Sequence, residues 1–367
     1  MSAKENDNDN GNLYELIERA FAADHSRPLL QTPDGQAWSY ADVQNRSASI
    51  ANYLLGLGAR SGDRVTVQVE KSPQVLCLYL ACLRAGLVYH PLNTAYQAAE
   101  LAYFLEDAKP RVVVCAGRDL ALFESLSPAA DAWALCTLEA DGSGSLSAAA
   151  ADCSSTFDTV SRAPDDLAAL LYSSGTTGRP KGIMLTHANL ASNALSLVKL
   201  WGFCPEDVLL HALPVFHVHG LFVAIHCVLL SGAQMLWLDK FDVADVKTAL
   251  PHCSVMMGVP TYYTRLLADP GFQREQCASM RLFISGSAPL LPETFTQFQQ
   301  RTGHTILERN GMSETGMNTS NPLLGERRVG TVGPALPGVE VRVVDADGVS
   351  LPPDQAGDLQ TAERSLI

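Results

Sequence analysis

Positions 172–182 of the chain read Tyr172-Ser173-Ser174-Gly175-Thr176-Thr177-Gly178-Arg179-Pro180-Lys181-Gly182, a run of glycines and hydroxyls that ends in two cations. Residues 167–172 lead into it as a short apolar run typical of a buried strand. Thr186 opens a helix, because apolar residues recur at helical spacing after it. Glycines let the backbone approach an anion, hydroxyls donate hydrogen bonds, and lysine adds a point charge. The stretch therefore predicts a phosphate-binding loop that joins a strand to a helix.

Two other interpretations of this loop fit less well. A Walker A loop needs Gly-Lys-Ser/Thr at the start of a helix, whereas here Pro180 precedes Lys181 and Gly182 follows it. A flexible surface linker has no reason to alternate glycines with hydroxyls and then to end in Lys-Gly. We therefore keep the interpretation of a loop that replaces the water around a triphosphate.

Strand and helix patterns alternate on both sides of the loop. Before it, Val65, Val67 and Val69 alternate as a strand, and Ser72 with Pro73 predicts a capped helix start. Further strands are predicted at 87–92, 111–115, 208–213, 234–238, 254–257, 281–285 and 305–309. Further helices are predicted at 13–21, 100–107, 221–230, 243–250, 262–267 and 293–301. One more helix is predicted to follow Trp38-Ser39-Tyr40 and to end near Gly58. This alternation is typical of parallel sheets with flanking helices.

The predicted fold class is α/β, with two doubly wound, mostly parallel sheets and an incomplete small antiparallel β unit at the C-terminal end. That unit is expected from residues 339–344 and 357–360, which flank the turn Asp345-Ala346-Asp347-Gly348. The expected domains are a disordered tail at 1–12, a large domain at 13–335 and a truncated β subdomain at 336–367. A loose connection near 139–164 separates two α/β subdomains of the large domain.

Composition limits the function classes. The chain has 367 residues, 47% of them hydrophobic, and a formal net charge of −13, which argues against nucleic acid and anionic membranes as partners. The longest apolar run, 221–230, is too short to span a bilayer. Residues 1–12 are polar and acidic, unlike a signal peptide, so we expect a cytoplasmic protein. No protein partner is predicted.

The nine cysteines are odd in number, lie mostly in apolar runs and form no CxxC pair. Such cysteines are typical of reduced core residues and not of a disulfide framework or a zinc site.

The loop resembles the signature of adenylate-forming enzymes, the superfamily of acyl-CoA synthetases, luciferases and peptide-synthetase adenylation domains. The resemblance runs from about residue 13 to 360 and narrows to malonyl-CoA and methylmalonyl-CoA synthetases. Four segments carry it, at 212–220, 258–266, 285–290 and 312–320. It implies two half-reactions with ATP, Mg²⁺ and CoA. The acid's carboxylate first attacks the α-phosphate and releases diphosphate, and the acyl adenylate then forms a thioester with CoA.

The resemblance also assigns residues to the nucleotide and the metal. The residues implied for ATP or AMP are Ser173, Ser174, Gly175, Thr176, Thr177, Gly178, Lys181, Ser285, Gly286, Asn310, Gly311, Met312 and Ser313. Among them, Thr176, Thr177 and Lys181 match the positions that hold the β- and γ-phosphates. Glu314 and Thr176 match the positions near Mg²⁺, for which hard oxygen ligands are suited. Lys181, His217 and Glu314 are the implied catalytic residues.

Arg265 is expected to select the acid. An apolar acyl pocket would bury an arginine at a considerable cost unless the ligand brought a counter-charge. The resemblance places Arg265 on the distal carboxylate, with Ser287 close by and His217 beside the acyl carboxylate. Two alternatives stay open: Arg265 could be an exposed residue on a helix, and His219, two residues after His217, could be a core histidine.

The chain departs from the family at two places. Asn310 stands where members usually carry an aromatic residue that stacks on adenine, and losing such a stack costs about 1–3 kcal/mol. The family also continues into an aspartate for the ribose, a hinge and a mobile C-terminal domain with an adenylation lysine. We expect a chain that lacks them after Ile367 to be impaired in making acyl-CoA.

The sequence therefore predicts an AMP-forming malonate–CoA ligase, which would serve malonyl-CoA synthesis and fatty acid metabolism. Its substrates would be malonate or methylmalonate, ATP and CoA. Two alternatives remain open: a CoA ligase for a monocarboxylic fatty or aryl acid, and a truncated product without catalysis. Pyrophosphate exchange with different acids separates the first alternative, and ATP binding separates the second.

Overall fold

The structure, a computed structural model, describes residues 10–21, 24–127, 129, 132–173 and 179–363. Its helices are α1 (Leu13–Ala20), α2 (Tyr40–Gly56), α3 (Pro73–Arg84), α4 (Ala98–Ala108), α5 (Leu120–Ser125), α6 (Ser145–Ala151), α7 (His187–Leu200), α8 (Ile225–Ser231), α9 (Val243–Ala249), α10 (Pro260–Ala268) and α11 (Pro292–Thr302). Its strands are β1 (Pro28–Gln31), β2 (Ala37–Ser39), β3 (Arg64–Gln68), β4 (Val88–Pro91), β5 (Val112–Cys115), β6 (Ala134–Thr137), β7 (Leu167–Ser173), β8 (Lys181–Thr186), β9 (Val208–His211), β10 (Gln234–Trp237), β11 (Val255–Gly258), β12 (Leu282–Ser285), β13 (Ile306–Met312), β14 (Gly316–Ser320), β15 (Val339–Val344) and β16 (Asp358–Glu363).

The chain divides into two compact units. The first contains the described residues up to Pro28, then Trp38–Ala191 and Val215–His217. The second contains Leu29–Ala37, Ser192–Pro214 and the described residues from Val218 onward. No helix of the described residues is long and apolar enough to cross a membrane.

The sheet of the first unit has six strands in the order β6-β5-β3-β4-β7-β8. Its pairs are parallel except β7 with β8, which form an antiparallel hairpin. Strand β5 is buried along its whole length, as expected for an apolar strand inside a parallel sheet. On α4, Leu101, Phe104 and Leu105 belong to the core cluster that contains β5 residues, so packing fixes this helix against the sheet.

Most strands of an eight-stranded sheet, in the order β14-β13-β12-β11-β9-β10-β1-β2, belong to the second unit. Strands β11, β12 and β13 run parallel, so Gly258, Ser285 and Glu308 lie side by side in register. Loops that follow the carboxyl ends of parallel strands are the usual ligand sites of open α/β sheets. Here that position is taken by the loop after Ser285.

The predicted fold class is confirmed. Two mostly parallel sheets are accompanied by a small antiparallel sheet of β15 and β16, and β15 has the predicted bounds. Most predicted helices and strands are present with ends shifted by a few residues. Strands β1, β2, β6 and β14 were not predicted, because each is short and its alternation is weak.

Two predictions around the loop and the connection are wrong. Residues 181–186 are a strand and not the approach to a helix, because β8 pairs with β7 from Thr186 to Lys181. The predicted helix start at Thr186 is confirmed within one residue, since α7 begins at His187 and Oγ1 of Thr186 accepts from the N–H of Asn189 at 3.1 Å. The connection near 139–164 is not loose, since it contains α6 and Asn52 donates to the carbonyl groups of Ser154 and Thr156.

The predicted start of α3 is correct, but its cap is not. Pro73 is the first helical residue, whereas Ser72 forms no side-chain capping bond. Proline at the first position fixes a helical φ and needs no backbone donor, which is enough to start the helix.

Candidate active site

The hairpin of β7 and β8 carries the ends of the predicted phosphate loop. Ser173 and Lys181 are paired in register at the last rung of the hairpin, and Lys181 is exposed. The residues predicted between them, Ser174, Gly175, Thr176, Thr177 and Gly178, lie outside the described residues. The structure thus places Ser173 and Lys181 next to each other.

The loop after β12 begins with two closely packed residues. Ser285 is fully buried, and its Oγ has no hydrogen-bond partner among the described residues. Gly286 donates its N–H to the carbonyl oxygen of Gly258 at 3.3 Å. A Cβ added to Gly286 would overlap the guanidinium group of Arg309. Glycine is therefore required at this position for close approach of the arginine.

Arg309 lies in the middle of β13 and is only 3% exposed. Within the described chain it forms no ion pair, and its Nε and Nη2 have no hydrogen-bond partner. Burial lowers the pKa of Arg309 to about 10, so the group is still a cation at neutral pH. A buried cation without a counter-charge is costly, and a bound anion would remove that cost.

Sequence reasoning missed Arg309. Its neighbour Glu308 does not neutralise it, because Oε1 of Glu308 accepts from the N–H of Leu290 at 2.9 Å. Burial raises the pKa of Glu308 above its ordinary value. Two adjacent charged residues within a predicted strand were the available signal, because such a pair is unusual in a buried strand.

Ser287 and His219 form a contact that the sequence did not predict. Ser287 has φ +69°, a left-handed conformation that is uncommon for a residue with a Cβ. Its Oγ lies 3.4 Å from Nδ1 of His219, which is buried. His219 is therefore a core histidine, as the alternative held, and also the residue that touches Ser287.

Arg265 and His217 lie in different surroundings from those expected. Arg265 is exposed on α10, and its guanidinium lies 4.8 Å from the centre of the Phe241 ring, which stacks on Tyr262. The side chain is thus open to solvent, as the alternative of an exposed helix residue describes, and its assignment to the distal carboxylate stays a prediction. His217 is exposed in the first unit, although the surrounding protein lowers its pKa below the ordinary value by desolvation.

The hairpin of β13 and β14 carries the remaining predicted residues. A register shift lies between Asn310 and Gly311, and a Cβ at Gly311 would overlap the carbonyl oxygen of Gly316. Ser313 and Glu314 lie in the turn between the two strands. Met312 and Glu314 are exposed, whereas Oδ1 of Asn310 is buried without a partner in the described residues.

Helix α7 fixes this hairpin from one side. The Asn193 amide donates to the carbonyl oxygen of Met317 at 3.0 Å and accepts from its N–H at 3.2 Å. The indole of Trp201 donates to Oγ of Ser320 at 3.0 Å. The turn with Glu314 is thus carried on a strand held at both ends.

The residues present fit a magnesium ion that arrives with a nucleotide. No group of three or more His, Cys, Asp or Glu side chains that could hold a metal occurs among the residues searched, which are those that the structure describes. Glu314 supplies one exposed carboxylate. Magnesium usually binds one or two carboxylates together with substrate phosphates and water, so a single carboxylate suits it.

Known proteins similar to this chain share its fold and much of its length. The AMP-binding enzyme family matches residues 17–366. A mitochondrial malonate–CoA ligase of Xenopus laevis is 35% identical over 334 residues, which are 83% of this chain and 56% of that protein. A sulfoacetate–CoA ligase of Cupriavidus necator is 32% identical over 362 residues, covering 97% of this chain and 70% of that protein.

Among solved structures, ATP-bound MatB from Rhodopseudomonas palustris has a TM-score of 0.93 and 48% sequence identity, covering 96% of this chain and 70% of that chain. The chain spans little more than half the length of the Xenopus ligase. Since the family match runs from residue 17 to residue 366, the chain belongs to the AMP-binding enzyme family.

Proposed function

We propose that this chain forms the nucleotide- and acid-binding part of an AMP-forming malonate–CoA ligase. The observation that carries the proposal is Arg309, a buried cation for which the described part of the chain offers no ion pair, on a strand of the second sheet beside Gly286. A dicarboxylate can give one carboxylate to the reaction and keep the other for an arginine. The name of the Xenopus relative supports malonate as that acid.

In the proposed reaction, one carboxylate oxygen of the acid attacks the α-phosphorus of ATP. The bond between the α-phosphorus and the bridging oxygen breaks, and diphosphate leaves with the electron pair. The acyl adenylate then loses AMP when the thiol of CoA attacks its carbonyl carbon. Magnesium, when bound with ATP, neutralises phosphate charge during the first step.

The residues of this chain would hold the reactants for these steps. Ser173 and Lys181 would bind phosphate oxygens, because a hydroxyl donor and a cation suit an anion. Glu314 would hold the metal. The pocket that holds the acid and the adenylate would be lined by Ser285, Gly286 and Arg309. His217, neutral at pH 7 because its pKa is lowered, can donate its one ring N–H to a carboxylate oxygen.

The experiment that tests the proposal is calorimetric titration of residues 1–367 with Mg²⁺-ATP and with small acids. Malonate and methylmalonate should bind, whereas acetate and propionate of the same concentration should bind at least ~10-fold more weakly. Equal binding of monoacids would favour the CoA ligase for monocarboxylic acids. Absence of both ATP and acid binding would favour a product without catalysis.

Sulfoacetate belongs in the same titration. Its sulfonate is an anion that an arginine can also bind, and the Cupriavidus relative is named for this substrate. Tighter binding of sulfoacetate than of malonate would change the proposed substrate while leaving the role of Arg309 in place.

Arg265→Ala decides between the two arginines: loss of malonate binding with ATP binding little changed would assign the distal carboxylate to Arg265, as its sequence position implies, and not to Arg309. Arg265 is an exposed cation that stacks on Phe241 and has no ion pair among the described residues. Arg274→Ala, at another exposed arginine of the second unit, is the control. Retained malonate affinity in Arg265→Ala would assign the distal carboxylate to another residue.

Asn310→Tyr should tighten ATP binding by about tenfold, because ~1.4 kcal/mol lies within the range of one base–aromatic stack. The proposal rests on the position of Asn310 before Gly311 and Met312, where family members carry an aromatic residue. Asn310→Phe separates stacking from the tyrosine hydroxyl. Unchanged or weaker ATP binding in both variants would show that Asn310 does not lie above the adenine.

We also propose the sequence-derived domains, with a large domain at 13–335 and a small β subdomain from 336, and a cytoplasmic location. All nine cysteines are free, and seven of them are buried, which suits a reducing compartment. Limited proteolysis tests the domain division, and microscopy of the tagged chain tests the location.

A further inference from the structure

Helix α4 contacts strand β7 and the residue that directly precedes strand β8, in the hairpin that carries Ser173 and Lys181. Oη of Tyr103 donates a hydrogen bond to the carbonyl oxygen of Pro180 at 2.9 Å. Pro180 directly precedes Lys181, so this bond holds the backbone next to the lysine. The contact lies on the β8 side of the hairpin.

A second hydrogen bond from the same helix reaches the β7 side. Oη of Tyr172 donates to Oδ2 of Asp107 at 2.5 Å, and Tyr172 directly precedes Ser173. Burial and the Asp107 carboxylate raise the pKa of Tyr172, so the phenol remains a donor at neutral pH. Its ring packs against Phe104 at 4.5 Å and His90 at 5.3 Å between ring centres.

The two hydrogen bonds lie on either side of Ser173 and Lys181, which are the last residues of the hairpin paired in register. Tyr103 and Asp107 are four residues apart and therefore face the same side of α4. The distance between the strands at Ser173 and Lys181 is thus set by a helix that the core cluster already fixes through Phe104 and Leu105. Such support from a rigid element is what a phosphate-binding pair needs in order to be held ready for its ligand.

We propose that Tyr103 and Asp107 are positioning residues for nucleotide phosphate binding by Ser173 and Lys181. The proposal rests on the proposed function, because it needs the hairpin to bind ATP. Neither side chain is assigned a contact with the nucleotide. Both act through the backbone or side chain of a residue adjacent to the phosphate-binding pair.

The positioning role can be tested separately from the stability of the first unit, because neither Tyr103 nor Asp107 is buried in the core around α4. Leu101, Phe104 and Leu105 are buried in the first unit, whereas Tyr103 is half-buried and Asp107 is exposed. Removing one hydroxyl or one charge therefore leaves the apolar face of α4 intact. An ordinary hydrogen bond contributes enough to change an affinity about fivefold when it is lost.

The test compares Tyr103→Phe and Asp107→Asn with two matched controls on the same part of the chain. Tyr96→Phe removes a hydroxyl that forms no hydrogen bond within the described residues, although its ring packs on Phe104. Glu106→Gln removes one exposed carboxylate from the residue next to Asp107. The Kd for Mg²⁺-ATP, the Kd for malonate and the melting temperature are measured for each.

Tyr103→Phe should raise the Kd for ATP about fivefold, and Asp107→Asn, whose amide oxygen can still accept from Tyr172 but carries no charge, should raise it by a smaller factor, with malonate affinity unchanged and controls at the parental value. Equal losses for ATP and malonate would assign these residues a structural role and overturn the proposal. Unchanged ATP affinity in both variants would overturn it as well.

A second readout does not depend on nucleotide. Amide hydrogen exchange in β8 should become faster in Tyr103→Phe and Asp107→Asn than in the controls, because the hairpin loses a support. If the parent protein binds no ATP, the proposed function is refuted, and so is the proposed role of Tyr103 and Asp107 in nucleotide binding. If the parent binds ATP, faster exchange in β8 of the two variants would support the positioning role of Tyr103 and Asp107. Unchanged exchange in both variants would overturn it.

Discussion

Replacing Arg309 by methionine should weaken malonate binding at least 100-fold and, at the same time, stabilise the protein. Arg309 is a buried cation whose Nε and Nη2 have no partner in the described part of the chain. Losing one partner of a buried, hydrogen-bonded charge pair costs about 2–5 kcal/mol of binding energy, which covers this loss of affinity. Opposite effects on binding and on stability are expected from a residue retained for its ligand.

The gain in stability follows from the sign of the pKa shift. The folded state lowers the pKa of Arg309 from its ordinary value to about 10, so it disfavours the charged form that exists at pH 7. That cost is present at every pH below the folded pKa and disappears when the cation is removed. An apolar side chain of similar length should therefore raise the free energy of unfolding by about 1–2 kcal/mol.

Arg281→Met provides the matched contrast in the same unit. Arg281 pairs with Asp207 through two contacts of 2.6 and 2.7 Å, and Asp207 is only 2% exposed. Removing Arg281 leaves the buried Asp207 carboxylate without its cation and should destabilise the protein by about 3 kcal/mol. Urea unfolding and malonate titration of both variants check the prediction. A destabilised Arg309→Met with parental malonate affinity would show that Arg309 is structural.

Gly286→Ala is the second substitution with a large expected effect. A Cβ at this position would overlap the guanidinium of Arg309, which has little room to move because its surroundings are packed. We expect the arginine to be displaced, with a loss of malonate affinity of at least ~10-fold and a loss of stability of about 1–3 kcal/mol. The two effects share one cause, which is the missing space above Gly286.

A double-mutant cycle tests that cause. In the Arg309→Met background, Gly286→Ala should cost much less stability, because the methionine side chain is flexible and carries no charge. Gly35→Ala is a control for the general effect of alanine, since a Cβ there meets no atom within 4 Å although its φ of +86° adds backbone strain. Additive effects of Gly286→Ala and Arg309→Met would contradict the proposed overlap.

The order of strands and helices was largely predictable because it depends on local patterns. The apolar run of β5 and the proline that starts α3 act over a few neighbouring residues. The bounds were less predictable, since tertiary pairing decides where a strand stops. Residues 181–186 illustrate this: their strand exists because β7 lies beside them, and no local pattern in the sequence required it.

The candidate site was predicted in part. Resemblance to a family named the hairpin with Glu314 and the loop after Ser285, and the structure places both in one unit. The sequence left open whether Arg265 is exposed, because exposure is decided by what packs around α10 and not by the residue type, and the structure has it exposed. The same argument applies instead to Arg309, whose burial comes from its position in the sheet between neighbouring strands.

The α/β class and the family could be read from residue order, spacing and motif alone, and the phosphate-binding role of residues 172–182 stays a prediction. Three features came from packing: Arg309 has no ion pair among the described residues, His219 contacts Ser287, and α4 forms hydrogen bonds with Tyr172 and with the carbonyl oxygen of Pro180. The partners in these contacts lie between 65 and 77 residues apart, or depend on a neighbouring strand. Burial and pairing over such separations come from packing, which local patterns do not specify.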